Sequence, residues 1–372
     1  MATGRKGWST IILFLTMAVL GAALGNYGGK LIKQSGVKLA LSYWHVAFMP
    51  LAYFLIVAWH ELGHLAGGWL SGFQLTLFIV GPLKIERTHD RLRFTLNRNL
   101  SLAGGLAASS PPPGTHLDIE DMKRALLRIV AGGPLFSALG ALLLVPASLL
   151  LASFPGPAIA LGITGALSLI IALVTMIPLR TSGFRSDGAR LLQLLRGGEA
   201  AQHWAQLAIL GGFIYTVRPR DWPRELVTSI ARFGHRSFDA VSAAWLRACH
   251  HEDRRELDDA KLWIEEAIAG KDEWPTAAHS TLHATAASIY AARNEAASAR
   301  EQFALLKPGG LLPKDQILYA EALVLFAEGQ KESARSIAVQ ALALIPASAQ
   351  GAAEPQRESL QRIIAQCTPM HP

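Results

Sequence analysis

The stretch LIVAWHELGHLAGGWL, residues 55–70, decides how this chain is interpreted, because it places an HExxH pattern inside an apolar run. On a helix, His60 and His64 lie one turn apart on the same face, so their imidazole nitrogens can converge on one metal ion. Glu61 then projects beside the metal, where a carboxylate can polarise water. Ionisable groups in a lipid span are costly and usually functional. The pattern therefore predicts a metal site rather than two histidines that merely line a polar cavity.

Composition places this motif in a protein with a membrane part and a soluble part. The 372 residues are 51% hydrophobic and 17% charged, too apolar for an ordinary soluble chain and too charged for one that is wholly embedded. Two cysteines, Cys249 and Cys367, are too few for a disulfide framework and indicate a reducing compartment. The net charge of +7 arises from basic residues that flank apolar segments, which favours membrane topology over nucleic-acid binding.

Four segments are long enough to span a bilayer, which takes about 20 mostly apolar residues. The first, Ser9–Gly25, is either a signal peptide or, as we expect, an uncleaved helix, since the chain after it is also membrane-embedded. The second runs from Tyr43 to about Leu70. The uncharged stretch Ile129–Leu179 is split by Pro155-Gly156-Pro157 into two further spans, which predicts a helical hairpin.

The distribution of lysine and arginine predicts the orientation of these spans. With four spans, the N-terminus, the loop of about 71–125 and the C-terminal half share one side. The basic residues near the spans on that side are Arg5, Lys6, Lys84, Arg87, Arg91, Arg93, Arg98, Lys123, Arg124, Arg180 and Arg185. The opposite side has only Lys30, Lys33 and Lys38. The positive-inside rule then predicts a multi-pass protein of the cell (inner) membrane with a cytoplasmic C-terminal half.

A catalytic zinc usually has three protein ligands, so a third is needed besides the two histidines. Leu70 stands where the longer pattern of soluble metzincins requires a histidine. Asp187-Gly188 follows a proline and glycine break and precedes a helical stretch, where a carboxylate could reach into the membrane. Asp187 could instead be only the N-cap of that helix, and from these residues alone capping is the favoured interpretation.

Three motifs together resemble the site-2 protease family of intramembrane zinc metalloproteases. They are HELGH at 60–64, Gly133-Pro134 at the start of a later span, and Asp187-Gly188 after the next, within about residues 42–195. The resemblance implies that His60, His64 and Asp187 bind one Zn²⁺ and that Glu61 is the catalytic base. It also implies a substrate that is a transmembrane segment, cut within or at the edge of the bilayer, with water reaching a polar cavity from the cytoplasm.

Two positions depart from the family pattern. Thr175 stands where the NxxP motif has asparagine, and Ser137 replaces the asparagine of GPxxN. In the family these amides are thought to hold the substrate or the oxyanion. The departures favour an alternative, in which the chain is an inactive protease relative that binds membrane helices or partners. A transporter or channel with a metal-sensing site is a further alternative, disfavoured because four spans and no inverted repeat are visible.

The loop between the second and third spans has strand character. Apolar and polar residues alternate on both sides of Thr88-His89-Asp90, which predicts a β-hairpin. Its edge is expected either to pair with an unwound substrate or to be a purely structural cover. LAASSPPPGTH, residues 106–116, is expected to be a flexible linker.

From about residue 196 the chain is rich in alanine and leucine with helical periodicity. The fragments Asp259-Ala260-Lys261, Ser298-Ala299-Arg300 and Ser333-Ala334-Arg335 recur at spacings close to those of tetratricopeptide-like helical hairpins. Such surfaces usually bind proteins, although a plain stabilising role is also open. His203–Val217 is too short for a confident span and is expected to dock this domain on the membrane.

The expected architecture is therefore mainly α. Residues 1–41 form an N-terminal transmembrane helix and loop, residues 42–195 a multispanning catalytic core with a small β-hairpin loop, and residues 196–372 a cytoplasmic helical-repeat domain. The expected partners are a transmembrane protein substrate, the lipid bilayer and a protein bound to the repeats.

Overall fold

The computed structural model describes Asn26, Lys30 and residues 43–88, 91–97, 104–112, 114–115, 118–181, 184–230, 237–307 and 311–367. The expected first span, Ser9–Gly25, lies outside these residues. The chain is mainly helical with a small antiparallel sheet, as expected. It divides into two compact units, of which the second comprises Pro111–Met122 and Glu199–Pro372 and the first most of the rest.

From residue 43 onward, the described part of the first unit has four helices: α1 (Tyr43–Trp69), α2 (Ile119–Leu150), α3 (Pro155–Met176) and α4 (Asp187–Arg196). Of these, α1, α2 and α3 are long and apolar enough to cross a membrane. The predicted hairpin is confirmed, because a turn at Leu151–Phe154 joins α2 to α3 and Ser168 of α3 contacts Ser137 of α2. Proline at the first position of α3 lacks only an N–H that a helix start leaves unbonded.

Helix α2 begins at Ile119, well before the expected start of the span at Ile129. Asp118 caps it, since its Oδ1 accepts a hydrogen bond of 2.7 Å from the backbone N–H of Asp121. Acidic residues in the first turn also suit the positive end of the helix dipole. Because this turn is charged, apolar patterning alone marked only the apolar part of the helix.

Helices α1 and α2 touch backbone to backbone at two levels. A β-carbon on Gly63 would overlap the carbonyl oxygen of Gly132, and one on Gly67 would overlap that of Arg128. Only glycine permits such an approach. The indole Nε1 of Trp59 donates a hydrogen bond of 2.6 Å to the carbonyl of Phe136, close to the contact between Gly63 and Gly132. The pairing fixes the register between the HExxH segment and α2.

A four-stranded sheet in the order β3-β2-β1-β4 follows α1 in the chain. It is formed by β1 (Gln74–Val80), β2 (Leu83–Thr88), β3 (Arg91–Leu96) and β4 (Leu106–Ser110). The predicted hairpin is confirmed as β2 and β3, which are neighbours; His89 and Asp90 of its turn lie outside the described residues. The linker expected at 106–116 is wrong in its first part, because β4 pairs antiparallel with β1, with Phe78 opposite Ala107.

A two-stranded ribbon, β5 (Arg180–Thr181) and β6 (Phe184–Arg185), leads from α3 to α4. Ser186 closes it, because its backbone N–H donates to the Leu179 carbonyl and its hydroxyl donates to the Ile177 carbonyl. The ribbon is the break that was expected before Asp187, and it reverses the chain so that α4 starts beside the end of α3.

The second unit is helical. Its helices are α5 (Gly198–Phe213), α6 (Arg224–Ser229), α7 (Phe238–Asp253), α8 (Leu257–Ala269), α9 (His279–Ala292), α10 (Ala296–Ala304), α11 (Lys314–Ala327), α12 (Lys331–Leu344) and α13 (Ala353–Gln366). Leu207 and Leu210 of α5 pack with Trp222 and Leu246 in a buried cluster. The apolar character of His203–Val217 is therefore largely accounted for by packing within this unit.

Three helical hairpins, α7/α8, α9/α10 and α11/α12, have the same turn. Each contains one residue in the left-handed region, Arg255 (φ 63°), Asn294 (φ 62°) or Gly329 (φ 77°). Each following helix begins as expected at the fragment recognised in the sequence, and its fourth residue is a fully buried alanine: Ala260, Ala299 and Ala334. The recurrence in sequence thus corresponds to a recurrence of structure.

Arg218, in the loop after α5, connects distant parts of this unit. Its guanidinium donates to both carboxylate oxygens of Asp253 at the end of α7 and to both of Glu358 on α13. The Arg218 and Asp253 side chains are buried, whereas Glu358 is about half exposed. The arginine thereby holds the first hairpin and the last helix to the same loop.

Candidate metal centre

The two histidines of HExxH lie on the face of α1 that packs against α2. Their Nε2 atoms are 3.2 Å apart, and the rings are nearly perpendicular with centroids 4.9 Å apart. His60 is 5% exposed, so its ring is enclosed by protein. The spacing of four residues has therefore produced the convergence that the sequence predicted.

Asp187, at the first position of α4, completes this cluster. Its Oδ2 is 3.2 Å from His60 Nε2 and its Oδ1 is 3.5 Å from His64 Nε2. Gly188 makes this placement possible, since a β-carbon there would overlap the carbonyl oxygen of Met176 at the end of α3. Ser186, rather than Asp187, is the N-cap of α4, because its hydroxyl accepts from the backbone N–H of Ala189. Capping therefore does not account for the aspartate.

These three side chains could hold a metal ion. Zinc binds imidazole nitrogen and carboxylate oxygen at about 2.0–2.2 Å in tetrahedral geometry, which sets neighbouring ligand atoms about 3.3–3.6 Å apart. The separations of 3.2, 3.2 and 3.5 Å lie close to that range. Two imidazoles and one carboxylate also form a common ligand set of catalytic zinc sites. The residues present therefore fit the ion that the sequence predicted.

Both rings are anchored at the nitrogen that faces away from the cluster. The Nδ1 of His64 is 2.7 Å from the carbonyl oxygen of Ile129, and the Nδ1 of His60 is 2.9 Å from the hydroxyl of Ser137. Such outer contacts orient ligand rings and commonly accompany metal-binding histidines. Nothing in the sequence pointed to the Ile129 contact, because backbone carbonyls are not encoded by residue type.

Glu61 lies beside the histidines and against the start of β4. It is 9% exposed, and its carboxylate accepts a hydrogen bond from the backbone of Ala107. Gly105 has φ +106°, and a β-carbon there would lie 2.5 Å from Glu61 Oε1. The glutamate is thus held by a strand that the sequence had placed in a linker.

Gly133 is the residue of α2 that lies directly against the two histidine rings. A β-carbon at this position would overlap His64 Nε2 and would lie 2.8 Å from His60 Nε2. The backbone of α2 therefore passes directly by the two nitrogens, and only glycine leaves room beside them. This contact explains why glycine is needed at the first position of the Gly133-Pro134 motif.

The two hydroxyl residues at the positions where the site-2 protease pattern has asparagine have different surroundings. Ser137 is fully buried and contacts His60, while the Thr175 hydroxyl lies 3.5 Å from the Ala172 carbonyl within its own helix. Ser168, which the sequence did not single out, donates a hydrogen bond of 2.7 Å to the Ser137 carbonyl.

A second group of possible metal ligands, His251, Glu256 and Asp259, occurs in the second unit. Here His251 Nδ1 is 2.7 Å from one Glu256 oxygen, and Arg254 donates to the other at 2.8 Å. These contacts with His251 and Arg254 hold the pKa of Glu256 below its usual value. Because the carboxylate already contacts the Arg254 guanidinium and the His251 ring, these two contacts account for the position of Glu256 in this cluster.

Comparisons with protein-family models, curated proteins and solved structures found no match to this chain. Assignment of the chain to the site-2 protease family therefore depends on the residues of the site and is a proposal.

Proposed function

We propose that this protein is an integral-membrane zinc endopeptidase of the site-2 protease kind, which cleaves transmembrane or membrane-proximal segments of membrane proteins. The observation that carries the proposal is the convergence of His60, His64 and Asp187 beside Glu61, within a unit that has three helices of membrane-spanning length. Ionisable groups within a membrane-spanning segment are energetically costly, and such groups usually have a function.

In this proposal His60, His64 and Asp187 would hold one Zn²⁺, which when bound supplies Lewis acidity toward water and the scissile carbonyl. Glu61 accepts the proton of the attacking water and returns it to the leaving amine nitrogen. The Ala107 backbone and Gly105 hold Glu61 in place for both transfers. Burial of the carboxylate excludes bulk water, which would otherwise compete for the same proton.

We also propose that β4 aligns the substrate. It lies at the edge of the sheet among the residues that the structure describes, and the contact of the Ala107 backbone with Glu61 supports the proposal that its free side faces the site. An extended substrate paired along that side would bring its peptide bonds past Glu61, whereas helical backbone is shielded from attack. The rival interpretation is that the sheet only covers the site.

Proline substitution on β4 separates these two interpretations. Ser109 is two residues from Ala107, so its N–H faces the same side of the strand. Ser109→Pro removes that N–H, and edge strands tolerate proline where the N–H points away from the ladder. We expect cleavage to fall while zinc content stays unchanged. Ser109→Ala is the matched control, because it removes the hydroxyl and keeps the N–H. Equal activity of the two variants would favour a structural sheet.

The second unit is proposed to be a cytoplasmic, tetratricopeptide-like domain that binds a protein partner. Three hairpins with equivalent turns at Arg255, Asn294 and Gly329 support this interpretation. Stacked helical hairpins present extended surfaces that usually bind proteins.

Glu61→Gln tests the enzymatic proposal. The ligands remain, so zinc should stay bound, but the proton carrier is lost and cleavage should cease. In cells, single-pass membrane proteins that accumulate in the Glu61→Gln strain identify the substrates. Glu86→Gln, a change in β2, is the control. Undiminished proteolysis by the Glu61→Gln protein would refute the enzymatic proposal.

A second candidate function is binding of membrane helices without cleavage, with partners recruited by the helical hairpins. It is favoured by the contacts of Ser137 with His60 and of Thr175 with its own helix, which engage both hydroxyls away from a substrate. Purified wild-type protein that binds zinc yet cleaves none of the accumulating proteins would support this candidate.

A further inference from the structure

Ser137 is a buried residue of α2 that contacts His60, one of the three residues of the cluster. Its side chain is fully buried in α2, and its Oγ is 2.9 Å from His60 Nδ1. Since Nδ1 and Nε2 lie on opposite edges of an imidazole, the hydroxyl is behind the ring relative to Asp187, which contacts Nε2. Ser137 therefore touches a proposed metal ligand and lies on the side away from the cluster.

The two histidines differ in what supports them. His64 faces the Ile129 carbonyl, which can only accept, so its Nδ1–H is the donor in this contact and its Nε2 is directed at the cluster. His60 faces a hydroxyl, which can donate or accept. A neutral imidazole that binds metal through Nε2 carries its proton on Nδ1, and that proton needs an acceptor.

We propose that Ser137 is a positioning residue for His60, an inference that rests on the proposed zinc site. In the metal-bound protein the Ser137 hydroxyl accepts a hydrogen bond from the Nδ1–H of His60. This contact fixes the ring with its Nε2 toward Asp187. In the other neutral tautomer of His60 the proton is on Nε2, and the same hydroxyl then donates a hydrogen bond to Nδ1. The ring therefore keeps its orientation in both tautomers. Bulk solvent does not reach this contact, because Ser137 is 0% exposed.

Ser168 of α3 is a second buried hydroxyl in this region, and it contacts the Ser137 backbone rather than the Ser137 hydroxyl. Its hydroxyl, also fully buried, donates a hydrogen bond of 2.7 Å to the Ser137 carbonyl. Gly140 leaves room for that contact, since a β-carbon there would lie 2.7 Å from the Ser168 hydroxyl. Ser168 does not touch either histidine through a described hydrogen bond, so it provides a matched control for removal of a buried hydroxyl.

The test measures zinc affinity by chelator competition on the full chain in detergent, together with cleavage as a function of zinc concentration. Loss of an outer contact to a ligand typically costs 10–100-fold in metal affinity. We expect Ser137→Ala to weaken zinc binding by about that factor, with cleavage restored by excess zinc. Ser168→Ala should bind zinc as the wild type does. Ser137→Cys, which keeps a weak donor and acceptor, should fall between the two.

The outcomes separate this inference from the proposed function. If Ser137→Ala binds zinc as tightly as the wild type but loses cleavage at saturating zinc, Ser137 acts on the substrate and the positioning role is refuted. If Ser137→Ala and Ser168→Ala weaken zinc equally, the effect is a general loss of packing and the role is also refuted. If the wild type itself binds no zinc, the proposed function fails, and the inference fails with it.

Discussion

His60 Nε2 and Asp187 Oδ2 are 3.2 Å apart although 127 positions separate the two residues in the chain. The contact depends on the β5–β6 ribbon, which returns the chain after α3, and on Gly188, which allows α4 to begin against the Met176 carbonyl. Packing of three separate segments thus brings a carboxylate to the two histidines.

Asp187→Ala should abolish stoichiometric zinc binding and cleavage. Two histidines alone leave the coordination of zinc incomplete, since catalytic sites use three protein ligands. Metal analysis of the purified variant checks the prediction. Ser186→Ala is the comparison, because it removes the N-cap, at a cost of about 0.5–2 kcal/mol in helix stability, and keeps all three ligands. Full zinc occupancy in Asp187→Ala would exclude the aspartate from the site.

Gly133→Ala should weaken zinc binding by at least about tenfold without unfolding the protein. The new methyl group would overlap His64 Nε2 and push both rings from their positions. Alanine is the better helix former by about 1 kcal/mol, so helix propensity does not explain a loss. Gly162→Ala is the control, since a β-carbon there meets only ordinary contacts with Ser148. Equal zinc affinities of the two variants would contradict the proposed position of the metal.

Reporters of membrane topology should place the loop after α1 and the second unit in the cytoplasm. The prediction follows from the excess of lysine and arginine in these segments. One reporter is inserted between residues 99 and 103, ahead of β4, and the other is fused after Arg196. Both should be active only as cytoplasmic fusions. An external signal from either would reverse the proposed orientation.

Glu252 should make the second unit less stable as the pH rises. Burial raises the pKa of Glu252 from 4.5 to about 7, although a hydrogen bond from Ser288 and the charge of Arg255 oppose the shift. The folded state holds the proton more tightly, so this contribution is complete below pH 4.5 and lost as the pH passes 7. The loss amounts to at most about 3 kcal/mol.

Hydrogen exchange of α7 and α9 amides in the full chain measures this effect. The protection of the wild type should fall between pH 5 and 8 after correction for intrinsic exchange, whereas Glu252→Gln should lack that decrease. A difference between the two proteins that does not change with pH would show that Glu252 does not titrate in this range.

Arg218→Met should destabilise the second unit by about 3–5 kcal/mol, because it leaves the buried Asp253 carboxylate without its cation. Glu358→Gln should cost less than about 1 kcal/mol, since this partner is half exposed. Chemical unfolding of the full chain compares the two. Similar costs would show that Asp253 is satisfied by its remaining contact, the Arg220 backbone N–H.

Local patterns predicted the elements that depend on local chemistry. The apolar run around HExxH marked α1 closely, and the alanine-centred fragments marked α8, α10 and α12. The start of α2 was missed because its first turn is charged. Strand β4 was missed because small residues followed by prolines resemble a linker, and only pairing with β1 makes them a strand.

For the site, as for the fold, the sequence predicted the parts that depend on local spacing and missed those that depend on packing. His60, Glu61 and His64 follow from spacing, whereas the proximity of Asp187 was suggested only by its position after a break and by family resemblance. The contacts of His60 with Ser137 and of His64 with the Ile129 carbonyl depend on the register between α1 and α2. That register results from glycine contacts between distant segments, which periodicity within one segment does not reveal.

The glycines around the cluster also provide a way to recognise other chains that build the same centre. Gly63 and Gly67 on α1, Gly132 and Gly133 on α2, and Gly188 on α4 each occupy a place where a β-carbon would overlap a neighbouring backbone or a histidine. A sequence search that requires glycine at these five positions as well as HExxH and the aspartate would select for the geometry. Chains with HExxH and bulkier residues there would have to hold their metal in a different helix packing.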